Sequence, residues 1–198
     1  MTDGLSLIER KQRRARQRII EAADELFASR GFDGVSVSDI AERAEVGRTS
    51  FFRYFGDKQE VVFAREHEVL ALVAAEDVPE PGPGPHSLSD ALRALEPVIL
   101  RITAQMAANA DGFRRHMQLV DAHTELRERD AAKLQVIAGQ LGDLLIARDW
   151  DTLVSVFSAQ IAVACFWTAR RTMTDPEDLV EATRRTFEQA LTLGAART

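Results

Sequence analysis

The chain holds one cysteine, Cys165. A single thiol excludes an intrachain disulfide framework, argues against a structural zinc site and fits a reducing cytoplasm. Long apolar runs are also missing: none approaches the ~20 residues of a membrane span. The opening MTDGLSLIERKQRR puts its charges after a very short apolar patch, unlike a secretory signal. There is no glycine-rich phosphate loop, and no two histidines stand four residues apart as a helical metal site requires. His116, Asp121 and His123 sit close in sequence, but the two histidines are separated by about 10.5 Å of helical rise, too far for one ion. Neither a β-hairpin signal nor an internal repeat occurs. Proline is sparse, with four of the six in VPEPGPGPH (78–86), which marks a loop at 78–87. These absences predict an all-α cytoplasmic protein with no cofactor, no metal, no membrane partner and no enzymatic activity.

What is present has a helical period nearly throughout. Of the 198 residues, 45% are hydrophobic, enough for a sizeable core. The net charge of -6 hides an asymmetry, because residues 1–58 carry +1 and the remainder -7. Arg10 to Arg18 contain six basic residues and no acid, which suggests a basic arm on an acidic body. Ile19, Ile20, Ala23, Leu26 and Phe27 form one apolar stripe, and Gly31 ends that helix. Ser36 and Asp39 form a capping box for a second short helix with Ile40, Ala41 and Ala44 on its inner face. Gly47 is expected to make a tight turn into a third helix, RTSFFRYF. Asp57 caps a fourth, expected to run to about Ala75.

Five further segments follow the loop: 89–110, 112–122, 124–147, 150–173 and 175–196. Pro97 is expected to kink or shorten the first of them. Asp175-Pro176 is a strong start signal for the last. The total is about nine helices. The pattern divides the chain into an N-terminal helix-turn-helix domain at 1–58 and a larger helical domain at 59–198.

A capped short helix, a turn and a second short helix is the arrangement that fits a DNA major groove, although two such helices alone more often only pack. Here the residues say more. Ser36, Ile40-Ala41, Ala44, Val46, Phe52, Tyr54-Phe55 and Lys58, with the upstream IIEAADELFASRGF, resemble the DNA-binding domain of the TetR family of transcriptional regulators. The resemblance covers roughly residues 15–65. It implies a homodimer that places each third helix in a major groove of a palindromic double-stranded DNA operator. It also implies a repressor released when a small-molecule effector occupies the C-terminal domain. The alternatives are a regulator without a ligand and a helical protein-binding adaptor.

By motif position, Arg48, Thr49 and Ser50 would reach bases or phosphates, and Phe52 and Tyr54 would face the sugar-phosphate wall. Lys58 would pair with a phosphate, while Ser36 and Ser38 would meet the backbone. Arg53 has two readings, guanine or phosphate. Arg13 and Arg14 of the basic arm would add sequence-independent contacts. Two departures stand out: Thr49-Ser50 replaces the family's usual Gly-Thr, and Phe52 replaces a tyrosine. On the helical wheel Phe51 and Phe55 point inward, whereas Phe52 lies near the apolar boundary.

In the C-terminal half, Met106, Phe113, His116, Met117, His123, Phe157, Gln160 and Cys165 are candidate pocket residues. Residues of these types are more often ordinary core or surface than pocket lining. Helix 150–173 is apolar on two sides, and the resemblance assigns the last two helices to the dimer. Val156, Val163, Trp167, Phe187 and Leu191 are the candidate interface residues.

Overall fold

The computed structural model describes residues 6–64, 66–84 and 86–195, without the side chains of 66–68, 70 and 193–195. Pro85 of the proline-rich loop and Ala196 at the expected end of the last helix therefore lie outside the described residues. The described residues form ten α-helices, one more than the pattern predicts, in two compact units, residues 1–66 and 67–198.

In the first unit, α1 (Leu7–Arg30) starts at a reciprocal capping box. The Ser6 hydroxyl accepts from the Glu9 amide at 3.2 Å, and the Glu9 carboxylate accepts from the Ser6 amide at 2.7 Å. It ends where Gly31 takes φ 72°, a value that favours glycine. The first buried residue of α1 is Ile19, so its first two turns stand clear of the core.

Next come α2 (Val37–Arg43), α3 (Arg48–Tyr54) and α4 (Lys58–Val62). Ile19, Ala23, Ile40, Phe51 and Phe55 belong to one sealed cluster that holds α1 to α4 together. The turn between α2 and α3 differs from expectation. Glu45, not Gly47, is left-handed, with φ 54°, while Gly47 is extended at φ -70°. The Val46 amide reaches the Ala41 carbonyl at 2.9 Å and the Glu45 amide reaches that of Glu42 at 3.0 Å. That pair of bonds is a Schellman closure, with a glutamate where glycine is usual.

The expected helix from Asp57 to Ala75 is broken. Asp57 does cap α4, accepting from the Glu60 amide at 2.8 Å, but α4 stops at Val62, and α5 (Glu66–Ala75) starts afresh. The break has a tertiary cause. The Arg16 guanidinium takes the Ala64 carbonyl, which a continuous helix would have spent on the amide four residues on.

The second unit is built from α6 (Leu88–Ala107), α7 (Ala110–Ala122), α8 (Thr124–Ile146), α9 (Thr152–Thr172) and α10 (Leu179–Ala195), with a single 3-10 turn at Pro176–Asp178. Helices α6, α8, α9 and α10 pack around Leu92, Leu95, Leu141, Leu145, Ala159, Ala162 and Phe187. Pro97 does not shorten α6, which continues to Ala107. Pro97 and Arg93, whose carbonyl loses its amide partner, both lie on the exposed face, where water can replace the missing bond.

The run-length expectation also needs correcting. At 21 residues, α9 is long and apolar enough to cross a bilayer by length and composition alone. In this fold it packs against α6, α8 and α10. A nearly buried ion pair fastens it to α8, with Arg170 gripping Asp130 through two bonds of 3.1 and 2.5 Å.

Candidate nucleic-acid interface

Helix α3 sorts its aromatic residues by face. Phe51 is fully buried and Phe55 nearly so, with ring centroids 5.9 Å apart. Phe52 is 48% exposed and turns one edge to Phe51, with centroids 5.6 Å apart. Tyr54 is half-buried, and the Arg53 guanidinium stacks 5.2 Å over its ring. Arg48 and Thr49 are exposed at the helix start, and Ser50 is half-buried behind them. The third helix thus hangs from two phenylalanines and presents Arg48, Thr49, Phe52 and Arg53 outward.

The cations of this unit fall into three groups. Three are paired across the surface: Arg18 with Glu45 at 3.4 Å, Arg30 with Asp39 at 3.4 Å and Arg43 with Glu25 at 2.5 Å. Two are turned inward: Arg16 onto the Ala64 carbonyl and the Phe55 ring, and Lys58 onto the carbonyls of Phe32 and Val35. Among the described residues, Arg10, Lys11, Arg13, Arg14, Arg48 and Arg53 face no carboxylate and are exposed. These six lie on the free turns of α1 and on α3. Positive charge with no internal counter-charge is what a polyphosphate backbone can neutralise.

The N-terminus of α2 is occupied from within. The Ser36 hydroxyl accepts from the Asp39 amide and donates to its carboxylate, and the Ser36 amide also donates there, at 2.8 Å. The Ser36 hydroxyl, and next its amide, hold the Asp39 carboxyl below its ordinary range. A phosphate at this helix end would have to displace Asp39 from Ser36. Ser38, the second residue of α2, is exposed.

In the second unit the eight candidate pocket residues scatter. Phe113 is buried in the main core, with Met106 and Met117 packed against it. His116 and His123 are half-buried. Cys165 is buried, its thiol 3.6 Å from the Thr186 carbonyl, and burial pushes its pKa up to about 11. Phe157, by contrast, is 56% exposed, and Gln160 lies outside beside it, donating to Gln135 of α8 at 3.2 Å. Neither can line an internal cavity of this unit. A cleft of about 440 Å³ opens elsewhere, between Pro79, Pro81 and Pro83 on one side and Trp150 on the other. Trp150 donates to the Pro79 carbonyl at 3.0 Å, and the His86 Nδ1 accepts from the Asp151 amide at 3.2 Å, so both ends of the proline-rich loop are tied down.

The candidate interface residues divide likewise. Val156 and Trp167 are about half exposed, Val163 is buried and Leu191 is half-buried. Phe187 is fully enclosed and offers no surface to a partner. Sequence reasoning left out of that set Leu153, which is 78% exposed, and the exposed Val136 and Ile146 of α8. Leu153, Val156, Phe157, Ala164 and Trp167 make an exposed apolar stripe along α9. Periodicity showed that α9 has two apolar sides but could not say which one the core takes.

Comparison with known proteins agrees with this geometry. The sequence signature of "bacterial regulatory proteins, tetR family" matches residues 19–64. The chain is 31% identical over 198 residues to the HTH-type transcriptional regulator TcmR of Streptomyces glaucescens, covering 96% of this chain and 86% of TcmR. Among solved structures, the triclosan complex of SmeT aligns with a TM-score of 0.60 at 19% identity, over 90% of each chain. SmeT is the repressor of the Stenotrophomonas maltophilia multidrug efflux pump SmeDEF. Thermus thermophilus FadR, a repressor in complex with lauroyl-CoA, aligns with a TM-score of 0.53 at 22% identity, over 92% of this chain and 96% of that one.

Proposed function

From the premise that the chain belongs to the TetR family of bacterial regulatory proteins, and so is a DNA-binding transcriptional regulator and not an enzyme, we propose that it is a cytoplasmic repressor. In this reading a homodimer grips a palindromic operator and a small molecule releases it. One observation carries the DNA reading: six exposed cations without a carboxylate partner lie on the first turns of α1 and on α3. Residues 1–58 do the DNA work and residues 59–198 the pairing and sensing. Arg48, Thr49, Ser50 and Arg53 meet bases or phosphates, Phe52 and Tyr54 lie along the sugar-phosphate wall, and Ser38, Arg13 and Arg14 add backbone contacts.

The exposed stripe Leu153, Val156, Phe157, Ala164 and Trp167 supports pairing, because a second copy can cover it by the same face under two-fold symmetry. The effector is a proposal by analogy, since SmeT and FadR were solved with triclosan and lauroyl-CoA. A ligand that prefers the conformation whose recognition helices miss the half-site spacing would empty the operator.

The test is selection of duplexes from a randomised library by the full-length chain, followed by titration of the winner. A palindromic winner bound by two chains supports the proposal. Failure to enrich any duplex at low or physiological salt removes the DNA reading, and enrichment by a single chain removes the dimeric one.

A further inference from the structure

The proline-rich loop is pinned at both ends and open between them. At its start, Glu76 takes the Arg101 guanidinium through two bonds, Asp77 pairs with Arg148, and Val78 is buried. The Pro79 carbonyl then accepts from the Trp150 indole, and at the far end His86 holds the Asp151 amide. Pro79, Pro81 and Pro83 each fix their own φ, so the span between the pins has few shapes to choose from. This span walls the cleft of about 440 Å³, with the His86 and Trp150 rings 5.5 Å apart by centroids on its other side. A cleft of that size is within the range of small-molecule sites, and a wall already in place costs a ligand little ordering.

The polar groups of this cleft do not balance. Its three prolines have no N–H, and the Trp150 N–H is already spent on Pro79, so donors are scarce. Asp90 is answered twice: the Ser87 hydroxyl donates to it at 2.6 Å, and the Arg93 guanidinium stands 3.5 Å away. It also lies in the first turn of α6, against the positive end of that helix. Glu80 lines the same cleft, is exposed, and faces no cation among the described residues. Residues 59–198 carry -7, so no surplus of positive charge nearby makes up for it. One carboxylate is left over beside proline and ring surfaces.

We propose that this cleft binds an organic cation with a flat apolar body. The charge sits against Glu80, and the body lies against the prolines, His86 and the accessible rim of Trp150. A neutral molecule of the same shape would leave Glu80 unanswered, and an anion would meet both Glu80 and Asp90. Arg93 is the one group in the cleft that opposes a cation. It is turned to Asp90, and its side chain is 62% exposed, so water can take it when a ligand enters. The site belongs wholly to the second unit and its occupation needs no DNA, so it stands or falls apart from the regulator reading.

The experiment titrates the full-length chain into three fluorescent probes built on one flat ring system, with polarisation as the readout. They are N-methylacridinium, acridine and acridine-9-carboxylate, in a mildly alkaline buffer that keeps acridine neutral. At low salt the cation should bind about fivefold more tightly than acridine, the strength of an exposed ion pair, and the anion should bind weakest. Added salt should shrink that preference. Glu80→Gln should erase it while leaving acridine binding within about twofold, and Arg93→Gln should widen it. Glu128→Gln, on the exposed face of α8, should change nothing. All three positions are exposed, so each variant should melt with wild type.

A second measurement gives the location. The chain has two tryptophans, Trp150 at the cleft and Trp167 exposed on α9, and each contributes one indole N–H resonance. N-methylacridinium should shift the Trp150 resonance. A shift at Trp167 without one at Trp150 would overturn the proposal and put the probe on the apolar stripe instead. Equal affinity for cation and neutral probe, or tighter binding of the anion, would overturn it as well. So would a cation preference that survives Glu80→Gln, and so would a failure of all three probes to bind.

Discussion

The two units leave opposite kinds of group uncompensated. In residues 1–66 the small core is closed, and beside the exposed Leu7, Ile8 and Phe52 the main uncompensated feature is positive charge at Arg10, Lys11, Arg13, Arg14, Arg48 and Arg53. In residues 67–198 the cations are mostly answered. Arg93, Arg101, Arg114, Arg148, Arg170 and Arg184 each face a carboxylate. What remains there is apolar surface, the stripe led by Leu153 and Phe157. A protein that balances its books within each unit leaves over only what a partner is to supply. One unit seeks anions and the other seeks oil.

The strongest way to break that contrast is to open the small core. Phe51→Ala removes the fully buried anchor of α3 and should cost about 3–5 kcal/mol. Chemical denaturation should show the first unit melting early, with DNA binding lost alongside. Retained binding at full stability would mean that α3 does not hang from Phe51.

On the other unit, Phe157→Glu places a charge in the stripe. It should shift the assembly towards monomer by about 3 kcal/mol or more, read by sedimentation, with helix content unchanged because the residue is exposed. An unshifted assembly would remove α9 from the interface.

A smaller change sharpens the charged side. Arg13→Gln with Arg14→Gln should weaken binding to every duplex and lower the salt slope by about 1.8. An unaltered slope would reduce the free turns of α1 to a solvated face.

The smallest effect concerns Phe52. Because it is half exposed, Phe52→Tyr should leave stability within about 0.5 kcal/mol. It should tighten binding by about 1 kcal/mol where the new hydroxyl meets a phosphate. A fall in thermal stability instead would show that the ring packs more tightly than its exposure suggests.

Local chemistry was the legible part of this sequence. Ser36 with Asp39, Asp57, Gly31 and Asp175 act within one turn of themselves, and each sits at the helix boundary that its residue type announces. Distant chemistry was not. The break after α4 depends on Arg16, 48 residues from Ala64 in sequence. The left-handed residue before α3 is a glutamate, held there by the Schellman closure and paired with Arg18, so the nearby glycine misdirects the reader. Phe157 lies on one of the two apolar sides of α9, and Phe187 on the single apolar side of α10. One faces solvent and the other is sealed, because only the packing of α6, α8, α9 and α10 decides which side of a doubly apolar helix turns inward.

Glu45 has a consequence for how an encounter begins. Its carboxylate is exposed, only three residues before the free guanidinium of Arg48. That carboxylate is already answered by Arg18 at 3.4 Å, so the turn into α3 carries one neutralised charge beside one open one. Removing the acid by Glu45→Gln would leave Arg18 open as well, and the added attraction would act on the association rate and fade with salt.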